Sequence, residues 1–334
     1  MASTQGGRLL AVAALLCLLV LAALSAIALG TVTMPPFTIL SAILAFDGSR
    51  DHLLVTSIRL PRVLAALLAG SALAVSGAIM QAVTNNPLAS PGLLGINAGA
   101  AFAVVSVMAL FGAGVADLYI WFAFLGAAIA AIIVYALGSL GTAGRSPLGL
   151  VLAGVIVATF LTSLTTAVLI FDQSTLDAVR LWTAGSVTGR TMAQVRTVAP
   201  YIVIGLIAAL PLGRHLTTLS LGADASRSLG QNPIVWRGAS VVIVILLAGG
   251  AVALAGPIGF VGLVVPHIVR MCIGVDYRWV VPFSALGGAL LVVVADMLGR
   301  LVFGSQSFPV GVTIALVGAP FFLYLARMRL RGKT

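Results

Sequence analysis

Apolar stretches, each about as long as a helical crossing of a bilayer, follow one another from end to end of this chain, and that repetition constrains the fold more than any motif. Hydrophobic residues make up 61% of the 334 positions and charged residues 8%, too few charges to cover the surface of a water-soluble fold of this length. Removing apolar surface from water is worth roughly 25 cal/mol per Å², so lipid is the expected solvent. The sequence predicts an all-α membrane protein in a single transmembrane domain over 1–334.

Taking about 20 apolar residues per crossing, ten spans are expected: 8–29, 62–81, 93–111, 119–140, 148–171, 198–212, 239–255, 259–272, 280–301 and 310–326. The Pro/Asn-rich run Asn85-Asn86-Pro87-Leu88-Ala89-Ser90-Pro91 ends the second. A polar run over 213–237 separates the sixth from the seventh. Only Gly256-Pro257-Ile258-Gly259 interrupts the apolar run between the seventh and eighth.

Ten spans put both termini on one side, and charge decides which. The tail residues Arg327, Arg329, Arg331 and Lys333 join Arg8, Arg145, Arg214, Arg227, Arg237, Arg270 and Arg278 on one face, against Asp224 and Asp276. Five aspartates, Asp47, Asp51, Asp117, Asp172 and Asp177, fall on the other face. The positive-inside bias then puts both termini in the cytoplasm. The net charge of +10 reflects topology and attraction to anionic lipid; arginines scattered between spans do not make a nucleic-acid surface. The first apolar run is longer than a typical signal-peptide core and reads as a retained span.

Cys17 and Cys272 fall in spans far apart in sequence and read as small packing residues. Glycine is abundant within the spans, at Gly70, Gly77, Gly154, Gly287 and Gly288 and in the GxxxG of Gly95 and Gly99. Small residues let helix backbones approach in lipid. Segments 69–89 and 248–268 share seven of 21 positions, but the expected topology runs both the same way and gives no inverted repeat.

No soluble catalytic constellation is present. Lys333 is the only lysine, which excludes a GxxxxGK[ST] phosphate loop, so any ATP that drives this protein binds another chain. His52, His215 and His267 lack metal-ligand spacing, and no metal site is expected. Asp296, the one carboxylate well inside a span, stands four residues before Arg300, as an i,i+4 pair would. The alternative, a proton relay, needs a chain of buried titratable groups.

Three ordered blocks carry a resemblance. The first runs from Ile58-Arg59-Leu60-Pro61-Arg62-Val63 through Gly70-Ser71-Ala72-Leu73-Ala74-Val75-Ser76-Gly77 to Asn86-Pro87-Leu88-Ala89-Ser90-Pro91-Gly92. The second is Gly256-Pro257-Ile258-Gly259-Phe260-Val261-Gly262-Leu263-Val264-Val265-Pro266-His267-Ile268-Val269-Arg270. The third joins Asp296 and Arg300 to Phe308-Pro309-Val310-Gly311 and Gly318-Ala319-Pro320-Phe321. Together they resemble the FecCD-type permeases, the membrane subunits of ABC importers for ferric siderophores, haem and cobalamin.

That resemblance implies a type II ABC importer permease architecture of about ten transmembrane helices, in the bacterial cytoplasmic (inner) membrane. It implies a second permease subunit, identical or homologous, two ATPase subunits that bind ATP and Mg, and an extracytoplasmic substrate-binding protein. It implies that Arg59, Arg62 and Arg300 accept carboxylates of the binding protein, the alternative being headgroup anchoring. It places ATPase coupling in the 213–237 loop, at Leu219, Leu221, Gly222, Ala225, Arg227, Leu229 and Gly230; a plain connector is the alternative. Inner gates are implied at Asn86, Pro87 and Leu88 and at Ser146, Pro147 and Leu148, where relatives often carry small polar residues at the last two positions. Arg180, Trp182 and Arg190 lie in a stretch like that of siderophore permeases; they face either an anionic or aromatic chelate or the membrane interface. The chain lacks a His, Cys or Met cluster along its spans, so a chelate that brings its own coordination sphere is expected rather than a bare ion. An ion-coupled secondary transporter is the reading from another class.

Overall fold

The computed structural model describes residues 5–30, 32–112, 118–139, 147–304 and 308–331, with the side chains of 147–148 and 321–331 outside that description. Arg145, Ser146, Asp117 and Lys333 therefore lie outside the described residues. The described residues form α1 (Gln5–Ala28), α2 (Pro36–Leu44), α3 (Arg50–Thr84), α4 (Ile96–Phe111), α5 (Tyr119–Ser139), α6 (Pro147–Phe171), α7 (Gln173–Thr183), α8 (Met192–Leu219), α9 (Ala223–Ser228), α10 (Pro233–Ala255), α11 (Val261–Ile273), α12 (Tyr277–Phe303) and α13 (Val310–Arg331).

Seven of these helices are long and apolar enough to cross a membrane, and α4, α11 and the Val310–Pro320 part of α13 add three shorter apolar segments. Together they occupy the ten expected positions. Large apolar side chains such as Leu10, Ile132, Ile156, Phe160 and Ile207 stand exposed around the outside, as they do where lipid rather than water is the solvent.

The bundle is built around α3, whose most apolar window is 83% buried, against 11% for α1. Small residues make that burial possible. A Cβ on Gly77 would lie 1.9 Å from the Gly262 carbonyl oxygen of α11, and one on Gly70 would lie 2.3 Å from that of Gly288 in α12. Backbone therefore lies on backbone at both crossings. Gly99, singled out by its GxxxG spacing, meets Gly126 of α5 in the same manner.

Three boundaries differ from the sequence expectation. The second span begins not after Arg62 but at Arg50, which puts Pro61 inside a helix. Proline has no N–H and its ring crowds the carbonyl four residues back. A wide π turn over Leu54–Arg59 precedes it, with Leu60 N–H donating to Val55 O five residues back. The polar run over 213–237 is shorter as a loop than expected: α8 continues to Leu219 and α10 starts at Pro233. Polar residues such as Arg214, Thr217 and Thr218 extend the sixth span as helix, the threonine hydroxyls bonding back to the carbonyls of Gly213 and Arg214. Third, α2 and α7 were not expected at all. The α7 N-terminus is capped by Asp172, whose carboxylate accepts from Thr175 N–H at 3.1 Å and from the hydroxyls of Ser174 and Thr175 at 2.6 Å each.

The break expected at Gly256 lies where α10 stops. The chain runs non-helically to Phe260, at φ +64°, and re-enters as α11. Where a helix breaks inside a membrane protein its end carbonyls need internal partners, and the stretch after α7 supplies one: Ser186 N–H donates to Ala255 O at 2.8 Å. The same stretch is tied to α13, Gly185 O accepting from Gly311 N–H at 2.9 Å.

Candidate functional site

At one end of the bundle α1, α3 and α12 bring Arg59, Arg62, Asp296 and Arg300 together. Arg62 grips Asp296 through two nitrogens, Nε to Oδ2 at 2.9 Å and Nη2 to Oδ1 at 2.8 Å. Arg300 adds its Nε at 3.3 Å from Asp296 Oδ2. Its Nη2 donates to Ala26 O at 3.0 Å. Arg59 donates to Ile27 O at 2.6 Å, Ala28 O at 3.1 Å and Val32 O at 2.5 Å. All four residues are 8% exposed or less.

Two guanidiniums, of Arg62 and Arg300, meet one carboxylate here, and that of Arg59 lies on the end of α1. The excess positive charge is met by the last carbonyls of α1, the groups a helix end leaves unpaired and the negative end of its dipole. Arg59, Arg62 and Arg300, the implied docking residues, turn their guanidiniums onto Asp296 and the carbonyls at the end of α1. The i,i+4 pairing of Asp296 with Arg300 is present, and Arg62, 234 positions away in the chain, completes it.

Arg180, Trp182 and Arg190 do not form one surface. Trp182 is 5% exposed and packs edge-on against Tyr119, with ring centroids 6.4 Å apart. Arg190 stacks over the same Tyr119 ring at 5.7 Å and bonds its hydroxyl. Arg180 is exposed and 3.6 Å from Asp177.

At the opposite end, α3 finishes in Asn85, whose φ of 50° and ψ of 28° make it a left-handed C-cap. The following turn is closed by Asn86, whose side-chain oxygen accepts from Leu88 N–H at 2.9 Å and whose carbonyl accepts from Ala89 N–H at 3.0 Å. From inside, Gln81 Nε2 reaches Ala89 O at 3.3 Å and Gly262 O at 3.2 Å. Leu88 is half exposed. Of the second candidate gate, Ser146 lies outside the described residues, and Pro147 with Leu148 opens α6.

Between α8 and α10 the polar segment folds as the short helix α9, flanked by Gly222 at φ +105° and Gly230 at φ +78°. Ser226 Oγ donates to Thr218 O at 3.0 Å, which folds α9 back on α8. His215 stacks on Trp236 and bonds Gln231, joining both ends of the segment. The apolar residues of the implied coupling segment, Leu219, Leu221, Ala225 and Leu229, are unequally exposed. Leu219 is buried, whereas Leu221 and Leu229 are each 64% exposed, and Ala225 is half-buried. Helix α8 extends through Leu219, so that residue follows the inward face of a long helix rather than the loop. Arg227 pairs with Asp224 at 2.9 Å on the exposed side.

Sequence reading missed the link from Arg62 to Asp296 and the capping of α1 by arginine. One signal was available: a single carboxylate inside an apolar span requires a cationic partner at the same depth.

A multi-span helical bundle with broken central helices and paired polar ends is the architecture of a membrane permease. The chain belongs to the FecCD transport family, whose family model matches residues 17–328. It is 44% identical over 86% of its length to the probable siderophore transport system permease protein YfiZ of Bacillus subtilis, covering 86% of that protein. It is 40% identical to the ferric enterobactin transport system permease protein FepD of Escherichia coli, over 97% of each chain. The fold is shared with a solved structure described as an inward-facing metal-chelate type ABC transporter, at a TM-score of 0.81 and 24% identity, covering 95% of this chain and 98% of that one.

Proposed function

We propose that this chain is the membrane-spanning permease subunit of an ATP-driven importer and forms the path for a ferric chelate, a ferric siderophore first. The observation that carries this reading is the likeness to a ferric enterobactin permease over 97% of both chains. Small side chains dominate the spans, which suits a wide, weakly binding path for a large chelate.

The partners follow from the same reading: two ATPase subunits holding ATP and Mg, a second permease subunit, and an extracytoplasmic binding protein. Both termini lie on the cytoplasmic side of the cytoplasmic membrane. The exposed Leu221 and Leu229 seat in a groove on the ATPase. The turn at Asn86, Pro87 and Leu88 and the α6 start at 146–148 close the inner end of the path. On the outer face, the positive field of Arg59, Arg62 and Arg300 steers carboxylates of the binding protein.

The test is uptake by the complete importer in liposomes, with its binding protein and ATP, offered ferric siderophore, haem, cobalamin or uncomplexed Fe³⁺ separately. ATP-dependent uptake of the ferric siderophore is expected. Uptake of haem or cobalamin alone overturns the cargo, and uptake without ATP overturns the importer class.

A further inference from the structure

The side chain of Asn85 joins the two cytoplasmic features described above. With its amide nitrogen turned to the two facing carbonyl oxygens, Asn85 donates to Leu219 O at 3.2 Å and Ser220 O at 2.8 Å. These carbonyls belong to the last turn and cap of α8, where a helix leaves its last carbonyls short of intrahelical partners; Leu219 O also accepts from Gly222 N–H at 3.1 Å. Asn85 is also the first residue beyond α3, in a left-handed conformation that asparagine tolerates better than most residues. One short side chain thus spans from the start of the turn 85–90 to the start of the segment 220–232.

Each side of that link is itself braced. The turn is tied by Asn86 to Leu88 and Ala89, and by Gln81 to the α11 backbone. The segment is folded onto α8 by Ser226 and closed by the His215–Gln231 bond. Displacement of a braced segment passes to a braced turn most directly through the bonds that join them.

We propose that Asn85 is the positioning residue through which movement of the segment 220–232 sets the position of the turn 85–90. The inference rests on the reading of these two parts as coupling segment and inner gate. Asn85 touches neither cargo nor nucleotide; it acts through the carbonyls of Leu219 and Ser220.

Two substitutions isolate the amide. Asn85→Gly keeps the left-handed backbone and removes both bonds. Asn85→Asp keeps the shape but sets an acceptor against two acceptors. The complete importer is reconstituted with each variant, and ferric-siderophore uptake and ATP hydrolysis are measured on the same vesicles. Spin labels at Leu88→Cys and Leu229→Cys, in a background with Cys17→Ser and Cys272→Ser, report the turn and the segment separately.

Expected is a fall of fivefold or more in uptake per ATP hydrolysed in both variants, with hydrolysis within twofold of the parent. The 229 label should still respond to nucleotide while the 88 label no longer does. Unchanged uptake per ATP in either variant overturns the proposal, as does an 88 label that still responds. A variant that does not assemble is replaced by the other, and failure of both overturns a positioning role in favour of a structural one. If the parent itself shows no ATP-driven uptake, the importer reading fails first, and the inference falls with it.

Discussion

Asp296 illustrates what one residue demands of its surroundings. A carboxylate at 4% exposure between Arg62 and Arg300 is stabilised only while its partners remain. Removing one partner of a buried pair costs about 3–5 kcal/mol, whereas replacing the pair with apolar residues is close to neutral. We therefore expect Arg62→Ala to lower thermal stability in detergent by that order, and Arg62→Leu, Asp296→Leu and Arg300→Leu together, which leave no buried charge of the group unpaired, to recover most of the loss. A triple variant no more stable than the single one would contradict this assignment. Asp172 offers a residue-scale test outside the membrane. Hydrogen bonds from Ser174 and Thr175 hold its carboxyl down to about 2. A depressed folded value means that the cap is present above the ordinary carboxylate range and lost only as pH falls through about 2. Protection of the Thr175 amide, corrected for intrinsic exchange, should stay constant from pH 7 to 4 and fall in Asp172→Ala at any pH in that range. Loss of protection between pH 5 and 4 would show that the carboxylate is not held this way.

At the scale of elements, α3 depends on having no side chain at its crossings. Gly77→Ala places a methyl group 1.9 Å from a backbone oxygen that cannot rotate away. Overpacking costs of this type run to about 1–3 kcal/mol and sometimes more. Gly6→Ala meets nothing within 4 Å and serves as the control; equal thermal stability of the two variants would remove the backbone contact from the account. The segment between α8 and α10 carries a different prediction. Leu221→Asp with Leu229→Asp should leave the permease in the membrane but release the ATPase on co-purification, because both side chains are exposed and neither supports the fold. Retention of the ATPase would rule out this face. Most elements were legible because each is a long apolar run bounded by polar or Gly/Pro residues. The α3 start was not, because Arg59 and Arg62 look like the end of a span until their acceptors are known. The polar end of α8 was not, because its hydroxyls are satisfied within the helix rather than by water.

Across the whole molecule, apolar length, the break at Gly256-Pro257-Ile258-Gly259 and the rarity of charge determined by themselves that this chain lies in a bilayer as about ten helices. These are local properties, and the cost of placing apolar surface in water or bare backbone in lipid enforces them wherever the segments meet. The blocks around Arg59, Gly256 and Asp296 likewise determined the family. Only the tertiary structure decided which partners the polar residues take. Arg62 meets Asp296 across 234 positions, Arg59 meets the end of α1, and Asn85 meets the end of α8. Each bond depends on two stretches of chain lying at the same level of the bundle and facing each other. Local sequence sets where a helix ends, but the packing of small residues between neighbours sets what lies opposite.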